Sequence, residues 1–195
     1  MSISSKEKIV PLEALVDRRG ILCMGHFDLV HVGHCRYLNW AKRQRPEMPL
    51  IVGITADAYF NKKKGDGFAF PQDVRAEWLS YLEMVDIVTI VNEPTGVLAI
   101  NTIKPDFYIK GIEVEGLIPE EESAVNRWGG KVYYFEGAVK DGIQVYSSGA
   151  ILDGQFSRRR ASKDSGDDAG SKGSVRPVQK ASKPRGVGEG DVGVE

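Results

Sequence analysis

Apolar residues along this chain fall into two alternating rhythms. Short unbroken β-rich runs stand at GILCMG (20–25), LIVGIT (50–55), VDIVTIV (85–91), DFYIKG (106–111) and KVYYFEG (131–137). Each run is continuous rather than alternating, as expected of a strand buried on both faces. Between and after them, apolar positions recur at helical spacing in GHCRYLNWAKR, QDVRAEWLSYLEM, PTGVLAINTIK, PEEESAVNRWG and SSGAILDGQF. Strand alternating with helix predicts an α/β fold: a Rossmann-like parallel five-stranded sheet with right-handed crossovers and helices on both faces. In such a sheet, ligands bind beyond the carboxyl ends of the strands, in the loops that lead into helices.

Composition sets the limits of the folded part. From Ser157 onward the chain has no aromatic residue and only scattered valines, too little apolar bulk to offset the entropy of ordering it. Three parts are therefore expected: an N-terminal extension (1–17), a single domain (18–156) and a disordered tail (157–195). A hydrophobic content of 42% in 195 residues is enough for one core. The formal net charge of -1 argues against a general affinity for nucleic acid or an anionic membrane, so any anion site has to be local. Cys23 and Cys35 make no CxxC pair and no disulfide framework, which suits a reducing, cytoplasmic setting. The first residues lack the apolar stretch of a signal peptide, and no run approaches the roughly 20 apolar residues of a membrane span. A soluble protein with no membrane partner is expected.

One stretch changes the picture. GHFDLVHVGH (25–34) contains all three histidines of the chain, at the end of the first predicted strand and the start of the first predicted helix. A helix N-terminus offers unpaired N–H groups and a positive dipole end, and Gly33 permits close approach of the backbone. His31 and His34, three positions apart on the first turn, can add two imidazole donors aimed the same way. The arrangement predicts a phosphate clamp. His31, His34 and Cys35 are alternatively metal-ligating types. A zinc site needs three or four well-spaced donors, however, and no second cluster exists in the sequence, so no metal site is expected.

GHFDLVHVGHCRYLNWAK resembles the signature of the cytidylyltransferase-like nucleotidyltransferases, in which glycine, any residue and Phe-Asp precede HxGH. Later landmarks follow in the family's order. DAYFNKKKG is similar to its aspartate-to-lysine-glycine segment and puts Lys64 on the phosphate-binding lysine; DVRAEWLSYLEMVD resembles its arginine-bearing helix, with Arg75; YIKGIEVEG resembles its lysine-glycine strand end, with Lys110 and Gly111. YSSGAIL matches the serine-threonine-rich helix start at Ser147 and Ser148, with Gly149 and Ala150 departing from it. The resemblance covers roughly residues 18 to 155.

What the resemblance implies is an enzyme in which the phosphate of a small phosphorylated sugar or polyol attacks the α-phosphate of CTP or ATP and releases pyrophosphate. His31, His34 and Lys64 would then be catalytic. Met24, Gly25, His26, Phe27, Gly33, Arg75, Lys110, Gly111, Ser147 and Ser148 would bind the nucleotide, with Mg2+ carried on the triphosphate. Such transfer needs positioning and charge neutralisation, and no nucleophilic side chain. Members that use glycerol phosphate carry an arginine just before the serine-threonine motif, where this chain offers only Lys140. KKKGDG is nearer the Lys-Gly-Asp of heptose-phosphate adenylyltransferases. Ile112 and Glu113 replace the family's glycine and aspartate, which leaves the choice between CTP and ATP open. A homodimer is also left open. The eroded serine motif keeps an alternative, a catalytically weak nucleotide-binding module of the same fold. A nicotinamide-binding Rossmann protein is disfavoured, because no GxGxxG follows the first strand.

Overall fold

The structure is a computed structural model and describes residues 5–59, 69–137, 139–140 and 143–144. Five parallel strands form its centre: β1 (Ile21–Gly25), β2 (Leu50–Thr55), β3 (Ile87–Val91), β4 (Phe107–Gly111) and β5 (Lys131–Phe135). They lie in the order β3-β2-β1-β4-β5. Each of the five apolar runs is a strand: LIVGIT over its full length, the other four trimmed by one or two residues. The connecting helices are α1 (Val32–Gln44), α2 (Gln72–Ser80), α3 (Val97–Ile103) and α4 (Pro119–Arg127). The short pair β6 (Val139–Lys140) and β7 (Ile143–Gln144) is antiparallel and separate from the main sheet. The helix expected at SSGAILDGQF, the tail after Phe156, and the candidate residues Lys64, Ser147 and Ser148 lie outside the described residues.

Because side chains alternate across a strand, each buried run supplies both faces of the sheet. Cys23, Val52, Ile54, Val88 and Ile109 point to one side, where they join Tyr37, Leu38 and Ala41 of α1 and Ala76 and Leu79 of α2. Leu22, Met24, Ile51, Val91 and Tyr108 point to the other, against Ala99, Ile100 and Ile103 of α3 and Ala124 and Val125 of α4. Leu12 and Leu15, from the stretch read as an extension, are buried in this second cluster. Ile9 pairs in parallel with Val88 at the β3 edge, and the Val10 amide donates to the Val88 carbonyl at 2.9 Å.

The turn into β1 depends on glycine. Gly20 has φ +110°, and a Cβ there would sit 2.7 Å from the Pro49 carbonyl oxygen. Its amide donates to Asp106 Oδ2 at 2.9 Å, and Arg19 Nη2 donates to Oδ1 of the same carboxylate at 2.5 Å. The amino ends of β1 and β4 are therefore fastened together. Their carboxyl ends are not.

Candidate functional site

Strand order reverses between β1 and β4, because α1 leaves β1 over one face of the sheet and α3 arrives at β4 from the other. The crevice at such a switch point is where an open α/β sheet binds ligands. Here the ladder itself opens. β1 pairs with β2 through Gly25, and β4 pairs with β5 through Gly111, but β1 and β4 pair only from Ile21 to Cys23 and from Phe107 to Ile109. Met24–Gly25 and Lys110–Gly111 therefore run on without each other. The Tyr37 hydroxyl of α1 donates to the Ile109 carbonyl at this divergence, which gives a buried acceptor a partner. Burial pushes the neighbouring Cys23 thiol up to about 12, against its hydrogen-bonded contact with Tyr37, which pulls it down.

The histidine loop leaves Gly25 directly into this crevice. Phe27 takes the left-handed conformation, φ +50°, and turns its ring back into the core, where it is 4% exposed. A side chain on Gly25 would meet that ring at 3.0 Å. His31 is the N-cap of α1, and its Nδ1 accepts the Gly33 amide at 3.1 Å. This bond fixes the tautomer: with Nδ1 occupied as an acceptor, a neutral His31 carries its proton on Nε2, as a donor directed away from the helix end. The His34 ring stacks on that of His31, with centroids 3.9 Å apart and planes 24° apart, and the Phe27 ring lies 5.0 Å from His34 on a tilted plane.

Both imidazoles are held neutral. Burial lowers His31 below its ordinary value. Burial pushes His34 down to about 4, His31 adds to the shift, and the backbone at Leu29 opposes it. His34 Nδ1 is buried and has no hydrogen-bond partner of normal geometry among the described residues. His31 thus presents an uncharged Nε2–H donor at the positive end of a helix, beside the neutral ring of His34, and the pair can meet an anion and gain a proton as it does so.

The structure separates the remaining candidates. Met24 is 6% exposed and Phe27 4%, so their side chains belong to the core and only their backbone borders the crevice. His26 is exposed. Gly33, expected to permit close approach of the backbone, is buried, and its amide donates to His31 Nδ1. Arg75 does not stand with the histidines as a surface cation: it is wholly buried, and its guanidinium donates to the carbonyls of His26, Thr55 and Phe70 and to Asp57. Lys110 lies at the end of β4, half-sheltered, with its ammonium turned to Glu121 of α4 at 3.6 Å and over the Tyr108 ring at 5.7 Å. Gly111 is covered by the Glu113 carboxylate, which sits where a Cβ would lie.

Two residues of this arrangement were not singled out from the sequence. Tyr37 follows His34 by three positions, which places it on the same helical face, against the strand ends. Glu121 is 6% exposed and accepts from the Gly96 amide at 2.7 Å and the Tyr108 hydroxyl at 2.7 Å, fixing the carboxylate that faces Lys110. Its signal is phase: among the three glutamates of PEEES, only Glu121 lies three and four positions before the buried Ala124 and Val125. Among the described residues no group of three or more His, Cys, Asp or Glu side chains is set to hold a metal ion, and no helix is long and apolar enough to cross a membrane.

Residues 22–128 match the family model described as cytidylyltransferase-like. The chain is 38% identical over 117 residues to the bifunctional protein HldE of Campylobacter fetus subsp. fetus, covering 57% of this chain and 25% of that one. It is 40% identical over 100 residues to the bifunctional protein HldE of Nitratiruptor sp., covering 51% of this chain and 21% of that one. It thus spans about a quarter of the length of these relatives. Among solved structures it is similar to the macrolide-efflux protein from Streptococcus pneumoniae, with a TM-score of 0.51 and 12% identity over 74% of this chain and 56% of that one, a likeness of fold alone.

Proposed function

Because this chain belongs to the cytidylyltransferase-like family, we propose that it is a nucleotidyltransferase acting on a small phosphorylated sugar or polyol. A phosphate oxygen of that acceptor attacks the α-phosphorus of CTP or ATP. The new oxygen–phosphorus bond forms as the bond to the β-phosphate breaks, and its electron pair leaves with pyrophosphate. The single observation that carries this reading is the stacked pair of neutral imidazoles at the α1 N-terminus, inside the crevice where β1 and β4 part.

His31 would donate from Nε2 to an α-phosphate oxygen, and His34 would take up a share of the developing charge beside it. Lys64 would grip the triphosphate or the incoming phosphate, Ser147 and Ser148 would hold phosphates at a later helix start, and Lys110 and Gly111 would border the nucleotide from the far side of the crevice. Imidazole and amide N–H groups suit phosphate oxygens and do not suit a hard cation. Mg2+, which seeks oxygen ligands and keeps several waters, would arrive bound to the triphosphate and offset its charge. The leaning toward a sugar phosphate rests on the Lys-Gly-Asp run at Lys64, Gly65 and Asp66, and a cytoplasmic setting on the two free cysteines.

Pyrophosphate release from CTP and from ATP, each with a panel of sugar and polyol phosphates, tests the reading. Turnover with one nucleotide and one acceptor class is expected. Binding of either triphosphate with no turnover on any acceptor would overturn it in favour of a nucleotide-binding module.

A further inference from the structure

Arg75 stands apart from the groups that would meet phosphate, yet its contacts lead to them. Nη1 donates to the His26 carbonyl at 2.6 Å, Nη2 to the Thr55 carbonyl at 2.9 Å and to Asp57 Oδ1 at 2.6 Å, and Nε to the Phe70 carbonyl at 3.1 Å. These acceptors come from three separate stretches: the turn after β1, the end of β2 with the turn that follows it, and the segment that enters α2. Burying a guanidinium is unfavourable unless its donors are met, and well-packed apolar side chains often serve a core as well or better. At this depth the guanidinium has its donors met by acceptors from all three stretches, and so ties them together.

What it holds is the origin of the histidine loop. The residue after His26 is Phe27, whose left-handed φ of +50° is unfavourable for a side chain of that size and persists only where its surroundings impose it. One residue further, Asp28 Oδ1 accepts the Phe70 amide at 3.1 Å, so the same turn is tied a second time to the entrance of α2. The Phe27 ring, thus directed, packs beside His34, and His34 stacks on His31.

We propose that Arg75 is a positioning residue for the histidine pair: by holding the His26 carbonyl against the end of β2 and the entrance to α2, it fixes the left-handed turn at Phe27, whose ring sets the orientation of His34. The functional half of this statement rests on the reading of the histidines as a phosphate clamp. The geometric half does not.

The chain has only three histidines, so proton NMR of the imidazoles can follow each one. Arg75→Lys keeps a cation but loses the fork that reaches separate carbonyls. Phe27→Leu leaves the guanidinium in place and removes the ring. Both variants are expected to move the His34 signals from their wild-type positions toward those of an unstacked histidine. Both should also lower kcat for pyrophosphate release by about tenfold or more, with KM for the triphosphate within about twofold. A folded Arg75→Lys protein whose His34 signals stay at the wild-type positions would overturn the proposal. Should that variant fail to fold, unmoved His34 signals in Phe27→Leu would overturn it equally. A wild-type protein that turns over no acceptor would remove the nucleotidyltransferase reading, while the NMR comparison would still decide whether Arg75 orients His34.

Discussion

His31 and His34 lie ring over ring, 3.9 Å between centroids, at the first turn of α1. Replacing either by alanine is expected to lower turnover by about a hundredfold, since removing one preorganised donor from a developing charge costs on the order of 3 kcal/mol. The thermal midpoint should fall modestly, through the lost N-cap of α1 in His31→Ala and the lost packing against Phe27 in His34→Ala. Unchanged turnover in both variants would remove the imidazoles from the mechanism.

The neutral state of the pair has a pH signature. His34 ionises near its ordinary value of 6.5 when unfolded and at about 4 when folded, so the unfolded chain binds the extra proton first as pH falls. Its contribution to stability is complete above pH 6.5 and is lost between there and about pH 4, by up to about 3 kcal/mol. His31 shifts in the same direction. A bound anion reverses the preference, so triphosphate binding near pH 6 should take up protons. Calorimetry in buffers of different ionisation enthalpy measures that uptake, which should shrink in His34→Ala.

An anion site and a metal site respond oppositely to two reagents. Triphosphate with magnesium at a hundredfold excess over Kd should stabilise the protein by roughly 2.7 kcal/mol. Chelator alone should leave its thermal midpoint where it was. Lys64→Ala should weaken triphosphate binding without altering the response to chelator. A free protein that unfolds on chelation would mark the histidines as metal ligands instead.

At the opposite end of the strands, Gly20→Ala should be destabilising by about 1–3 kcal/mol, through the positive φ and the 2.7 Å approach of its Cβ to the Pro49 carbonyl oxygen. Denaturant unfolding would register the loss. The histidine NMR signals should stay in place, because the change is at the far end of β1 from the crevice.

What could be read from the sequence was whatever a local pattern encodes. Continuous apolar runs marked all five main strands, and HxGH marked the start of α1, because burial on two faces and capping of a helix both act within a few residues. Pairings between distant segments left no such trace. Nothing in DVRAEW indicates that Arg75 turns inward to the carbonyl of His26, 49 positions away, rather than outward to a ligand. The resemblance named Arg75 as a nucleotide contact, and the structure gives its guanidinium to the carbonyls of His26, Thr55 and Phe70 and to Asp57. Leu12 and Leu15 were likewise set outside the domain by their place in the chain, although their side chains are in the core.

The short ladder between β1 and β4 has a consequence for cohesion. Three residue pairs join these strands, whereas five join β1 to β2, β2 to β3 and β4 to β5. The seam that admits a ligand is thus also the most weakly stitched boundary of the sheet. Within β1 and β4, amide exchange should be fastest at Met24, Gly25, Lys110 and Gly111, and a nucleotide bridging the gap would act as a missing rung, slowing exchange on both strands at once.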